Sequence, residues 1–168
     1  MLWVNIIMDT LGGLAFAGEA PLKYYMKEKP KRRDEPLLSG SMIWQILLNG
    51  GYTLALLVFF LTHPFFRGIY PDSTHYLTAF YALFIFAGLF NCLAARSERL
   101  FIWHGILKNK LFIAILSFIS VIQLVIIYFG GTLFRSAPLG AVELLTAVLT
   151  AFTVLIFDSI RRFFCKLK

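Results

Sequence analysis

Apolar residues gather into five long runs, roughly 2–17, 42–61, 76–95, 111–129 and 139–160, and the stretches between them hold nearly all the charge. Most of these runs approach the ~20 residues an α-helix needs to cross the hydrocarbon core of a bilayer; the first is shorter. The pattern predicts an all-α fold. It would be a multispan transmembrane helical bundle of about five helices, a single membrane domain over residues 1–168 with a polar loop at about 18–41.

Composition supports that reading. Hydrophobic residues make up 59% of the 168 positions, charged residues 15%, and the mean hydropathy is +0.76. A soluble domain of this length would need far more polar side chains to cover its surface. The net charge of +7 could suggest a nucleic-acid partner, but its distribution argues against one. Fourteen of the sixteen basic residues fall after the first, third and fifth runs, and only Arg67 and Arg135 lie on the other side. The positive-inside rule turns that asymmetry into a multi-pass membrane protein with a cytoplasmic C-terminus. The aromatics lie in spans rather than on a solvated basic surface, so no nucleic acid is expected.

Ala15-Phe16-Ala17 has the look of a signal-peptide cleavage site, but a basic leading region is missing, and Asn5 and Asp9 interrupt the apolar stretch. A start on the outer side without a leader is what a chain continuing upstream of Met1 would give. Cys92 and Cys165 fall near cytoplasmic span ends and form no metal-ligand spacing with His63, His75 or His104, so both read as structural.

The polar positions inside the runs carry the chemistry. Asn5 and Asp9 are four residues apart, which on a helix places an amide and a carboxylate on one face. An aspartate in hydrocarbon costs roughly 2.5–3.5 kcal/mol on insertion scales and calls for a partner. A cation is the natural candidate. Calcium takes 6–8 oxygen ligands, more than these two side chains offer, so the segment would be part of a site completed by another helix. Sodium, a proton relay, or a hydrogen bond from Asp9 to a neighbouring helix stay open on the residues alone. Gly12-Gly13 either permits unwinding that frees backbone carbonyls or allows close packing of helices. Gln45 and Asn49, one turn apart, are expected to hydrogen-bond across helices, and Gly51 with Ala55 makes a small face suited to helix contact. Asn91 and Gln123 are the strongly polar residues of the third and fourth runs. Glu143 and Asp158, near the ends of the fifth, are expected to be solvated at the interface. Trp44, Tyr70, Tyr76, Trp103 and Tyr128 sit close to span boundaries, where interfacial aromatics gather. Pro21 to Ser41, rich in mixed charge and proline, reads as a cytoplasmic loop. No phosphate-binding loop, dinucleotide fingerprint, zinc-protease motif or nucleophile elbow is present.

Together these residues resemble the C-terminal half of the membrane domain of P-type calcium-transporting ATPases, plasma-membrane-type subgroup. Leu2-Trp3-Val4-Asn5-Ile6-Ile7-Met8-Asp9-Thr10 is similar to the family's sixth transmembrane helix, and Glu35-Pro36-Leu37-Leu38-Ser39-Gly40 to the lead-in of the seventh. Gly50-Gly51-Tyr52 resembles a glycine patch of that helix, Leu89-Phe90-Asn91 a landmark of the eighth, and Phe129-Gly130-Gly131 the end of the ninth. The resemblance implies that Asn5 and Asp9 are ligands of transported calcium. Met8 stands where two-site pumps of the sarcoplasmic-reticulum type place a threonine ligand, and Gly88 where they place a glutamate, which implies a single-site pump. It also implies that ATP and magnesium act only through domains upstream of this segment, since the phosphorylated aspartate, the nucleotide-binding domain and the fourth-helix glutamate ligand are absent here. Alone, the segment should be inactive. Its expected partners are the lipid bilayer and the missing N-terminal part of the pump, helices one to five and the cytoplasmic domains. Two rival readings are a stand-alone accessory membrane protein docking onto a pump or channel, and a small oligomeric secondary transporter, against which the lack of an internal repeat weighs.

Overall fold

The structure, a computed structural model, describes residues 2–18, 40–96 and 109–166, without the side chains of residues 2–9, 41, 165 and 166. The regular elements among the described residues are all helices. In chain order they are α1 (Leu2–Ala17), α2 (Gly40–Thr62), α3 (Pro64–Arg67), α4 (Ser73–Ala95), α5 (Lys110–Phe129), α6 (Gly131–Phe134) and α7 (Ala141–Lys166). Four of the five expected spans are helices long and apolar enough to cross a membrane: α2, α4, α5 and α7. The fifth, α1, has 16 residues. At 1.5 Å per residue that is about 24 Å, short of a hydrocarbon core of about 30 Å.

The helix at the centre is α4. Its Ala79, Ala82 and Ala87 face Ala147, Ala151 and Val154 of α7, all with at most 1% of their surface exposed. Lipid is as apolar as leucine, so membrane helices associate through close packing, and small residues on both sides let the two backbones approach. Along one edge α2 joins this pair through Tyr52, Leu56, Leu57 and Phe60. Tyr52 stacks on Phe157 with ring centroids 4.2 Å apart. On the opposite side of α4, Ile85 and Leu89 pack on Phe112, Ile115 and Ile119 of α5, and α5 in turn holds Leu11 and Ala15 of α1.

Short-range chemistry sets the corners. The backbone N–H of Phe65 donates to Nδ1 of His63, which caps α3, and Pro64 occupies its first turn, where a missing N–H costs nothing. Asp72 caps α4 by accepting the N–H of His75 at 2.8 Å. Tyr70 and Tyr76, expected as interfacial anchors, are instead buried among Phe60 and Phe66, and the Tyr76 hydroxyl donates to the Phe60 carbonyl at 2.6 Å. The end of α5 needs its glycines. A Cβ on Gly130 would fall 2.3 Å from the Ile126 oxygen, and Gly131 has φ +44°. Ser136 covers the same Ile126 carbonyl, donating at 2.8 Å.

Candidate functional site

Asn5 and Asp9 both lie on α1, one turn apart on a continuous helix, while their side chains lie outside the described residues. The same holds for Met8. The helix runs unbroken through Gly12 and Gly13 to Ala17, so the unwinding that these glycines would permit does not occur. Among the described residues none packs closely on them: a Cβ at either position would meet no described atom within 4 Å. Gly50 and Gly51 of α2 are equally open, and no described helix packs on the Gly51–Ala55 face. The loop run Glu35–Ser39, with Trp103, His104 and most of the 18–41 loop, lies outside the described residues.

What holds α1 is its seam with α5. Phe16 meets Phe112 edge-on at 5.7 Å, and the Asn109 amide approaches the Ala15 carbonyl at 3.5 Å. The Arg96 guanidinium sits over the same Phe112 ring, 5.5 Å from its centroid. Farther along α5, Gln123 is 2% exposed, and its Nε2 has no hydrogen-bond partner among the described residues. Gly88, half-buried on α4, stands one turn from Asn91. The Asn91 amide is engaged elsewhere, donating to Thr53 Oγ1 at 2.9 Å.

The largest departure from expectation is Asp158. Expected at a solvated interface, it is wholly buried on α7 and surrounded by donors. Oδ1 accepts from Asn49 Nδ2 of α2 at 3.0 Å and from two nitrogens of Arg161, Nε at 3.1 Å and NH2 at 2.7 Å. Oδ2 accepts from Nε of Arg162 at 2.5 Å. Arg162, itself 4% exposed, also donates to the Ala94 carbonyl near the end of α4. Thr53 extends the group by donating to the Asn49 carbonyl at 2.8 Å while accepting from Asn91. The expected interhelical role of Asn49 is realised, and the cluster ties α2, α4 and α7 together. An aspartate with arginines at i+3 and i+4 presents both cations to the carboxylate on one helix face, and that spacing was the legible signal. Glu143 follows expectation more closely: half-buried in the first turn of α7, it accepts from Gly140 N at 2.8 Å.

No group of three or more potential metal ligands assembles among the described residues. A cavity of about 230 Å³ lies at the α3–α4 corner, lined by Arg67, Tyr70, Asp72 and Tyr76 among others, away from the α1–α5 seam. Burial and the nearby Glu143 push the Tyr70 hydroxyl up to about 12, so it stays a neutral donor, 3.3 Å from the Glu143 carbonyl.

Residues 1–164 match the family described as cation transporting ATPase, C-terminus. Among curated proteins, the chain is 34% identical to the plasma membrane calcium-transporting ATPase mca-1 of Caenorhabditis elegans, an alignment covering 95% of this chain and 14% of that protein. It is 39% identical to human plasma membrane calcium-transporting ATPase 3 over 83% of this chain and 12% of that protein. Against calcium-transporting ATPase 10, plasma membrane-type, of Arabidopsis thaliana, the identity is 36% over 79% of this chain and 13% of that protein. The chain thus spans about one eighth of the length of these relatives.

Proposed function

The chain belongs to the cation-transporting ATPase C-terminal family, and from that premise we propose that it is the C-terminal transmembrane portion of an ATP-driven calcium pump. In this reading Asn5 and Asp9 of α1 supply oxygen ligands to the transported calcium. Met8 and Gly88 leave a second site without its ligands, so one ion moves per cycle. ATP and magnesium act only through domains upstream, and the partners of this segment are the lipid bilayer and the remainder of the pump. The basic residues that cluster after the first, third and fifth spans put the C-terminus in the cytoplasm.

The observation that carries the reading is the pairing of a family match over residues 1–164 with an amide and a carboxylate one turn apart in an apolar helix. A hard divalent cation favours that donor set, and a third source of oxygen from outside this segment is required to reach its usual coordination. Nothing at the corner cavity competes for the role, since its carboxylate, Asp72, is already engaged as a helix cap.

The test is calcium uptake by inside-out vesicles containing the full polypeptide that carries this segment. Asp9→Asn keeps the shape of the side chain and removes its charge. Uptake should fall to background while the amount of folded protein in the membrane stays the same. Uptake by the Asp9→Asn variant equal to that of the unsubstituted protein would remove Asp9 from the site and sink the proposal.

A further inference from the structure

The helix that carries Asn5 and Asp9 is held by contacts gathered on its second half. Leu11 and Ala15 join the apolar cluster of α4 and α5, and Ala15 is fully buried there. Beside them Gly12 and Gly13 meet no described atom, and Leu14 is exposed. At the last turn α5 comes close. Phe16 meets Phe112 edge-on, and a Cβ on Gly18 would fall 2.8 Å from Leu111 Cδ2. Asn109 caps α5 by accepting the N–H of Phe112 at 2.9 Å, while its amide approaches the Ala15 carbonyl.

Phe112 is the hub of this clasp. Its side chain is fully buried, and three elements converge on it: its own helix, Phe16 of α1, and the Arg96 guanidinium at the end of α4. An aromatic pair prefers an edge-to-face arrangement, and a cation is drawn to a ring face, so both contacts have a preferred direction that an aliphatic side chain would lack. A ring held in this way fixes an angle as well as a distance.

That angle matters because α1 runs unbroken from Leu2 to Ala17. Asp9 and Asn5 stand six and ten residues back from Ala15, about 9 and about 15 Å along the axis. A tilt of about 10° at the clasp would carry the backbone at those positions about 1.6 and about 2.6 Å sideways. Calcium holds its oxygens at about 2.3–2.6 Å, so displacements of that size are felt by the ion.

We propose that Phe112 is a positioning residue for the α1 cation ligands: clasped by Arg96 and Phe16, its ring sets the tilt of α1 and so the place of Asn5 and Asp9. The inference rests on the cation-site reading above.

The test is calcium uptake by vesicles containing the full polypeptide, read as the half-saturating calcium concentration beside the thermal midpoint. Phe112→Leu keeps an apolar side chain and removes the ring. The half-saturating concentration should rise roughly 2- to 10-fold, the span of one aromatic pair. Phe60→Leu is the control, since Phe60 is equally buried but lies in the α2–α4–α7 block. It should lower the thermal midpoint and leave calcium affinity unaltered. A rise in both variants, or in neither, would make Phe112 structural only and overturn the proposal. Phe16→Leu approaches the same contact from a side chain that is 38% exposed, where folding is at little risk. It should raise the half-saturating concentration as well, and the double variant with Phe112→Leu should go little beyond the larger single effect, because both substitutions remove one contact. Additive effects would overturn the clasp. Loss of uptake in Asp9→Asn with unaltered affinity in Phe112→Leu would reject this inference alone. Unaltered uptake in Asp9→Asn would reject the site itself.

Discussion

In the α2–α4–α7 block a carboxylate with no solvent exposure is met by two arginines and an asparagine, whereas on α5, the helix that holds α1, the Nε2 of a glutamine of nearly equal burial has no described partner. Both regions place polar groups in apolar surroundings, where an unpaired group is expensive. The block meets its buried carboxylate from within, leaving only the Asn49 Oδ1 of that cluster without a described partner, and small residues draw its helices together. The seam is held by aromatic contact at one end, leaves Gln123 Nε2 without a described partner, and carries two glycines of α1 that no described side chain approaches. The contrast separates a scaffold from a working surface. A buried ion pair whose described partners lie on three helices fixes their mutual placement. A helix with polar groups and open faces is left for something else to meet, which in the proposed reading is a cation and the rest of the pump.

The comparison breaks most easily at Asp158. Asp158→Ala leaves Arg162 buried without its carboxylate, and removing one member of such a pair costs about 3–5 kcal/mol. The measurement is the denaturant or thermal midpoint of the protein in detergent micelles. The expected result is a large drop or failure to accumulate. Asp158→Leu combined with Arg162→Met should recover most of the loss, because well-packed apolar replacements avoid desolvating charge. If Asp158→Ala has no more effect than truncating lipid-facing Ile156, the cluster does not hold the block together.

A milder cut falls at Thr53. Thr53→Val keeps the shape while removing the acceptor of Asn91 and the donor to the Asn49 carbonyl. Side-chain hydrogen bonds between membrane helices average about 0.6 kcal/mol, with a maximum near about 1.7. The stability read from the same midpoint should therefore fall by about 1 kcal/mol, and α1 should be untouched. The check on that second half is amide exchange along Leu11–Ala17 of α1, which the Thr53→Val substitution should leave unaltered. A larger fall than that of Asp158→Ala would put the weight of the block on the neutral end of the network.

The block was only half legible in the sequence. Its helices were visible because long apolar runs leave few other options in a bilayer, and the boundaries fell within a few residues, apart from a longer end on α7. Asn49 was legible as an interhelical donor because an amide in a span has few alternatives. Asp158 was misread. Its position near the end of a span suggested water, and its arginines were taken as topology-setting charges. The spacing on α7 allows both arginines to reach the carboxylate, but that the group is buried depends on the approach of α2 and α4, which spacing along one helix does not encode. The reverse held for Gly12-Gly13: a permissive pair says where a helix can break, and the neighbours decide whether it does. The short helices α3 and α6 escaped notice because four-residue turns leave no periodicity. Gln123 was visible as a polar residue, but its isolation is a property of two other helices.

The smallest effect lies farthest from both regions, at the cap of α4, and asks whether the block responds to pH at its outer corner. The backbone N–H of His75, and next its side chain, hold the Asp72 carboxyl below the usual carboxylate range. Its Oδ1 lies 3.0 Å from His75 Nδ1. A carboxylate with a lowered folded-state pKa adds stability above its unfolded pKa and loses it as pH falls through the folded value. The cap should therefore be intact at neutral pH and weaken only in acid, below the ordinary carboxylate range. Amide exchange at His75 and Tyr76 in micelles should accelerate there, relative to the base-corrected rate of an unstructured peptide. Asp72→Asn still caps, since asparagine is among the preferred N-cap residues, but it cannot titrate, so the acid-dependent step should vanish while protection at neutral pH largely remains. Asp72→Ala should lose protection at every pH. Tyr76 is anchored independently, through its hydroxyl on Phe60 and its ring against Phe60 at 5.4 Å. The loosening should therefore stop within the first turn and leave the Asp158 cluster, at the other end of the block, undisturbed. Acid loss of protection that spreads along α4 past Tyr76 would mean that the corner and the cluster unfold as one unit, and the block would be less rigid than its internal pairing implies.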